Sequence, residues 1–267
     1  MKREDFEKLG DLHKSYEVRT ESTLIPGCPV VIRLDGRSFH TFTKGLKRPY
    51  DERMSLAMIE TTKDILSQTG ADIGYCQSDE ITLGFKNIIE NPIMFGGRVQ
   101  KIVSVVAATT SVYFNRIIQE TIPKHAHMMP VFDARVWQYP TLELACESFM
   151  WREIDATRNS LSMAVQSLYK HTECMGAGFV KKHDMLHDKG VNWNDYPVFF
   201  KRGTYVGKRK VMKQLTEKEL MNIPEKFRDP GKWFERSVVC DLGLQEYTKI
   251  HNIKRVFFFG ENPVGFL

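Results

Sequence analysis

The sequence predicts an α+β fold built on a ferredoxin-like βαββαβ core, with additional helices and a C-terminal extension. Three observations carry this. Short runs of branched apolar residues alternate with two long stretches of helical periodicity, in the order strand, helix, strand, strand, helix, strand. The 267 residues are 42% hydrophobic and 27% charged, a balance that excludes disorder and fibrous structure. No apolar run approaches the roughly 20 residues a membrane span needs.

Pro29–Leu34 is rich in branched apolar residues and reads as a buried strand. Asp51–Thr69, between Pro49 and Gly70, sets Met54, Met58 and Ile65, with Ile59, Thr62 and Leu66, at helical spacing. Ala71–Cys76 and Glu80–Phe85 are two short strands joined by a tight turn around Gln77, Ser78 and Asp79. Arg98–Gln119 is a second helix, with Ile102, Val106, Tyr113 and Ile117 along one face. Val131–Tyr139 alternates as a fourth strand and stops at Pro140. Thr141–His171 is mostly helical. Beyond residue 213 come a helix at Thr216–Asn222, a loop around Pro224 and Pro230, and an apolar strand at Arg255–Phe259.

Five cysteines, an odd number with no C-x-x-C pair, argue against a zinc site and a disulfide framework. The charged N-terminal stretch lacks the apolar segment of a secretion signal, so the expectation is a cytoplasmic chain with reduced thiols. The net charge is +5, and the window Lys181–Lys213 holds nine basic and three acidic residues, interleaved with Trp193, Tyr196, Phe199, Phe200 and Tyr205. Such a window suits a polyanion such as RNA, or a solvated face over an ordinary core.

In a split βαβ core, strand one lies antiparallel beside strand three. The end of strand one therefore meets the turn between strands two and three, which brings Asp35 to Asp79. Facing carboxylates repel unless a positive charge sits between them. A pair of Mg²⁺ ions, hard cations that bridge phosphates, resolves the repulsion and suits phosphoryl displacement. Two ordinary solvated turns are the other reading. Gly36 lets the backbone approach a metal or phosphate. Gly36, Arg37, Ser38, Phe39 and His40 could offer successive N–H groups to phosphate oxygens, and Ser78 adds a hydroxyl. Glu80 is a third carboxylate and a candidate catalytic residue with Asp35 and Asp79, although it begins the next strand, where alternation can point it away from the site.

Beyond topology, Val31–His40, with Arg33-Leu34-Asp35-Gly36-Arg37-Ser38-Phe39-His40, followed by Gln77-Ser78-Asp79-Glu80, resembles the tRNA(His) guanylyltransferase family and its Thg1-like relatives. Phe132-Asp133-Ala134-Arg135-Val136 with Tyr139-Pro140, Trp151-Arg152 with Asp155 and Asn159, and Arg202-Gly203-Thr204 are similar to later segments of that family. The resemblance spans residues 20–210. It implies a polymerase-like palm that adds nucleotides to the 5′ end of tRNA: ATP first adenylylates a 5′-monophosphate, and the 3′-hydroxyl of an incoming NTP such as GTP then attacks that end. By motif, Asp35, the Gly36 carbonyl and Asp79 would hold two Mg²⁺ ions. Gly36–His40 and Ser78 would contact the nucleotide, as would Arg48 and Asp51, although Asp51 also reads as a helix N-cap.

Lys101 and Arg135, with Arg98 and Asn159, would hold a second triphosphate or the RNA 5′ end. The resemblance also implies a homotetramer, and RNA contact by Lys181, Lys182, Lys201, Arg202, Lys208, Arg209 and Lys210. The chain then divides into a catalytic palm (1–140), a helical and basic RNA-contact region (141–213) and an extension (214–267). Where eukaryotic members carry H-I-N-N, this chain has Thr157-Arg158-Asn159-Ser160, which resembles the Thg1-like branch and favours template-dependent 5′-end repair over obligate G addition to tRNA(His). A nucleotidyl cyclase on the same palm, or a non-catalytic tRNA-binding protein, are the competing readings.

Overall fold

The branched apolar runs of the sequence assemble into one six-stranded antiparallel sheet: β1 (Val30–Gly36), β2 (Ile73–Gln77), β3 (Glu80–Phe85), β4 (Phe132–Gln138), β5 (Thr204–Gln214) and β6 (Trp233–Asp241), in the order β4-β1-β3-β2-β5-β6. The computed structural model describes residues 3–229, 231 and 233–265. Its α-helices are α1 (Arg3–Val18), α2 (Phe39–Phe42), α3 (Glu52–Thr69), α4 (Val99–Thr121), α5 (Pro123–Ala126), α6 (Leu142–Gln166), α7 (His171–Cys174), α8 (Phe179–His187), α9 (Val198–Arg202), α10 (Glu217–Met221) and α11 (Ile253–Phe259). Among the described residues no helix is long and apolar enough to cross a membrane, and all five cysteines are free.

The first four strands and the helices α3 and α4 follow the expected order. Asp51 caps α3 and Gly70, in the left-handed region, ends it. Met54, Met58, Ile65 and Leu66 of α3 and Ile102, Val106, Phe114 and Ile118 of α4 pack on one sheet face, against Val30, Ile32 and Leu34 of β1. The alternate residue Val31 faces the other side, in a second core with Phe149 of α6 and Tyr75 of β2. A third cluster joins the C-terminal half of α6, through Leu161, Ala164 and Val165, to Leu186, Trp193 and Phe200.

The C-terminal part differs from expectation. Arg255–Phe259 is not a strand but most of helix α11, whose Val256, Phe257 and Phe258 are 1% exposed in the second core. A short continuous apolar run has no period that separates a buried helix from a buried strand. Strand β5 emerges inside the basic window and runs past residue 213, pairing with β2 on one side and β6 on the other. Strands β5 and β6 thus extend the same sheet. Thr216 caps α10 through a reciprocal bond with Glu219, as the Thr216–Asn222 helix predicts. Pro224 precedes a 3₁₀ turn at Glu225–Phe227, and Pro230, the other proline of the expected loop, lies outside the described residues.

Candidate active site

The register of the sheet builds the site. Asp35 sits opposite Glu80 on one side and Asp133 on the other, and directly opposed residues in an antiparallel pair share a face. Two residues back along the strands, Arg33 lies opposite Thr82 and Arg135. A row of three acids therefore runs across β4, β1 and β3, with two arginines in the next row on the same face.

The β2–β3 turn brings in Asp79. The Gly36 N–H donates to the Asp79 carbonyl at 3.0 Å, which fixes the end of β1 against the turn. Ser78 takes the left-handed backbone conformation (φ 51°), as does Ser38 (φ 57°) in the loop after β1. Non-glycine residues adopt this region at an energetic cost, and both occurrences here frame the acidic pair. Burial pushes the Asp79 carboxyl above the ordinary carboxylate range; the Ser78 hydroxyl opposes this and the Asp35 charge adds to it. Among the described residues neither Asp35 nor Asp79 has a cationic side chain within 4 Å. The pair thus has no compensating cation, and its donors are two carboxylates and the Gly36 carbonyl. That hard-oxygen set fits a divalent cation with nucleotide oxygens completing its shell. No group of three His, Cys, Asp or Glu side chains among the described residues forms a metal set without such added oxygens.

Glu80 departs from expectation. It shares the face of Asp35 instead of turning away, but its carboxylate is committed: Arg152 of α6 donates to it twice, at 2.6 and 2.7 Å. Arg33 stands 3.9 Å away on its other side. Burial raises the Glu80 carboxyl, and Arg152 acts against that rise. Arg152 also lies 3.3 Å from Asp155, whose carboxylate accepts from the Asn159 amide at 3.2 Å.

A cavity of about 530 Å³ opens beside Asp79, lined by Gly36, Ser38, Phe39 and His40, by the 43–51 loop, and by Gln77 and Ser78. Its far wall is one face of α6, with Ser160, Met163, Gln166 and Ser167 at helical spacing, and the rings of Tyr50, Phe199 and Phe200. Sequence reading missed this wall. The signal was present in the period of α6, but the rings come from segments that meet only in the folded chain; Tyr50 and Phe200 stand 4.8 Å apart.

The loop after β1 differs in detail. The N–H groups of Gly36 and Arg37 are taken, by the Asp79 and Val131 carbonyls. Those of Ser38, Phe39 and His40 open α2 and lack intrahelical partners. Gly36 is required by packing as well: a β-carbon there would overlap the Phe39 ring, itself wedged among Phe42, Phe114 and Phe132. Arg48 lines the cavity, exposed. Asp51 lines it too, but its carboxylate accepts from the Arg53 guanidinium and the N–H groups of Lys47 and Arg53, which hold its pKa down at about 2.

Arg98, Lys101 and Arg135 are exposed; the Lys101 ammonium rests over the Phe95 ring at 5.2 Å and Arg135 is 3.7 Å from Asp133. The basic window is less open than its charge count implies. Lys201 is 8% exposed, with its ammonium on the Asn194 carbonyl, so it is no surface cation. Lys182 bonds Ser162, Lys208 bonds the Gly70 carbonyl, and Lys210 pairs with Glu235 at 2.9 Å. Arg202 lies 4.0 Å from Glu246, and Arg209 is partly buried, which lowers its pKa. Lys181 is exposed.

The family model described as tRNAHis guanylyltransferase matches residues 10–140. A bacterial tRNA(His) guanylyltransferase-like protein solved in complex with ATP superposes with a TM-score of 0.71 at 35% identity, over 74% of this chain and 87% of its own. The chain belongs to the tRNA(His) guanylyltransferase family. A second structure in that family, a bacterial guanylyltransferase-like protein in complex with GTP, matches at 30% identity with a TM-score of 0.65, over 87% of this chain and 90% of its own. The tRNA(His) guanylyltransferase of Candida glabrata is 27% identical over 72% of this chain and 87% of its own length. Members of this guanylyltransferase family are nucleotidyltransferases.

Proposed function

We propose that this chain is a nucleotidyltransferase that adds nucleotides in the 3′–5′ direction to the 5′ end of tRNA, as its place in the tRNA(His) guanylyltransferase family implies. The observation that carries the assignment to this site is that Asp35 and Asp79, with no compensating cation, are drawn together by the Gly36–Asp79 backbone bond, and that Gly36 and Asp79 line the cavity. The βαββαβ sheet serves as the palm. Asp35, Asp79 and the Gly36 carbonyl hold two Mg²⁺ ions, which when bound neutralise phosphate charge and lower the barrier to phosphoryl displacement.

The chain's own groups do the positioning. The segment Ser38–His40 and Ser78 orient the triphosphate of ATP or of the incoming GTP or other NTP, and Arg48 reaches it from the cavity rim. The ring wall and α6 seat the base. In the first step the RNA 5′-phosphate oxygen bonds to the ATP α-phosphorus and pyrophosphate leaves. In the second the NTP 3′-hydroxyl oxygen bonds to the RNA 5′-phosphorus, AMP leaves, and the hydroxyl proton is lost to water. Arg135 and Lys101, with Arg98 and Asn159, steady the second triphosphate or the RNA end. Template-dependent repair of truncated tRNAs is the reading that Thr157–Ser160 supports, and the chain works in the cytoplasm as a homotetramer.

Incubation with 5′-truncated tRNA, ATP, labelled NTP and Mg²⁺ tests this. Lengthening at the 5′ end is expected; cyclic nucleotide, or RNA binding without turnover, would replace the proposal with a cyclase or a binding protein. Asp35→Ala and Asp79→Ala are expected to abolish addition, a loss of about 10³-fold or more, while tRNA affinity is retained. Near-normal turnover in either variant overturns the site assignment.

A further inference from the structure

We infer that the RNA strand crosses the protein on a cationic rim formed by the 43–48 loop and α5, beside the cavity, and not on the Lys181–Lys213 window. The inference rests on the proposed RNA substrate and names the surface that would receive it. Two stretches distant in sequence, residues 37–48 and 123–131, form the rim. The His125 ring nitrogen Nε2 lies 3.1 Å from the Lys44 carbonyl, which ties α5 to the loop that follows α2. His125 also stacks edge-on against Phe42 of α2, with ring centroids 5.9 Å apart. The Arg37 N–H donates to the Val131 carbonyl at 2.9 Å, which ties the loop after β1 to the segment that follows α5.

These contacts collect Arg37, Lys44, Lys47, Arg48 and Lys124 on one exposed border, with His40 and His127 among them. Lys47 and Arg48 also line the cavity, so the border leads directly to Asp79. Among the described residues no carboxylate lies within 4 Å of any of these five cations. The nearest acid in sequence, Asp51, is already held by Arg53. In the window Lys201 is buried, Lys182, Lys208 and Arg209 are partly buried, and Lys210, Lys213 and Arg202 face Glu235, Glu219 and Glu246, which among the described residues leaves Lys181 and Lys189 as its exposed cations without a carboxylate neighbour. A solvated, uncompensated row of cations gains most from releasing the counterions of a polyphosphate, whereas a cation already neutralised by a neighbouring carboxylate gains little.

The test uses Lys44→Glu/Lys124→Glu, two exposed positions outside the nucleotide cavity, against Lys181→Glu/Lys189→Glu. The affinity of the full-length protein for a 5′-truncated tRNA is measured across a salt series, with ATP affinity and melting temperature beside it. The rim variant is expected to bind tRNA at least about tenfold more weakly at low salt, and to lower the slope of log K against log salt by about two. Its ATP affinity and melting temperature should match the parent, and the Lys181/Lys189 variant should bind tRNA as the parent does. Parent-like tRNA binding by the rim variant overturns the inference, as does loss of ATP affinity in place of tRNA affinity, or failure of the parent to bind tRNA at all. If the rim variant binds normally while the parent still lengthens tRNA, the rim assignment falls and the proposed activity stands; if the parent binds tRNA through the rim but adds nothing, the activity falls and the rim stands.

Discussion

Arg152 reaches from α6 to the first residue of β3 and grips Glu80 with two charge-assisted bonds, both partners nearly out of solvent. Because Glu80 follows Asp79 directly, this grip fixes the turn that presents Asp79 to Asp35. Removing one member of a buried pair leaves an uncompensated charge, so Arg152→Ala is expected to cost about 3–5 kcal/mol of stability. Glu80→Gln/Arg152→Ala should cost clearly less than the sum of its single changes, and urea denaturation of the four chains measures the coupling. Additive losses would mean that the pair does not act as a unit. At this scale Asp35, Gly36 and Asp79 were legible in the sequence, because the topology that joins them follows from the order of strands. The partner of Glu80 was not. Alternation along β3 says which face a side chain takes, but not that Arg152, 72 positions away, waits there. Lys201 failed in the opposite sense: its charge was visible, while the carbonyl of Asn194 that claims it, and the burial around it, belong to the folded chain.

Among the elements, α3 shows how a local signal and a tertiary site share residues. Asp51 caps the helix by accepting from the Arg53 N–H, and it anchors the 43–51 loop by accepting from the Lys47 N–H. The Arg53 guanidinium, first among its partners, and these N–H groups hold its carboxyl at about 2, below the ordinary 3.8. A carboxyl whose folded pKa is depressed contributes fully above its unfolded value and loses that contribution as pH falls through the folded one. Asp51→Ala is therefore expected to cost about 1–2 kcal/mol at neutral pH. The gap in melting temperature between the two chains should close as pH falls from about 4 to about 2, a window given by those two pKa values. A gap that persists at the acid end would place the stabilisation elsewhere. β1, α3 and α4 were readable because each carries one dominant period. β5 was not, because Lys208, Arg209 and Lys210 mask a strand whose inner half, Thr204 to Gly207, is buried against β2.

For the whole molecule, the C-terminal segment is a structural part of the sheet that carries the candidate site. Phe257 packs against Phe149 of α6 at 5.3 Å and Tyr205 of β5 at 5.1 Å, and so joins the helix behind the site to the strand that extends it. Nearby, Glu153 of α6 accepts from the Tyr205 hydroxyl at 2.9 Å and the Tyr247 N–H at 3.1 Å, which satisfies a carboxylate that burial otherwise disfavours. Since α6 also supplies Arg152 and the far wall of the cavity, loss of this packing should reach the site through the helix. Phe257→Ala removes a ring that is 1% exposed and is expected to cost about 3–5 kcal/mol. Trp233→Ala, at a ring 57% exposed on the edge strand, should change stability by less than about 1 kcal/mol. Chemical denaturation of both variants, with nucleotide addition assayed well below the melting temperature, separates the two effects. If Phe257→Ala were as stable as the parent, α11 would be an appendage, and the second core would have to close around α6 without it.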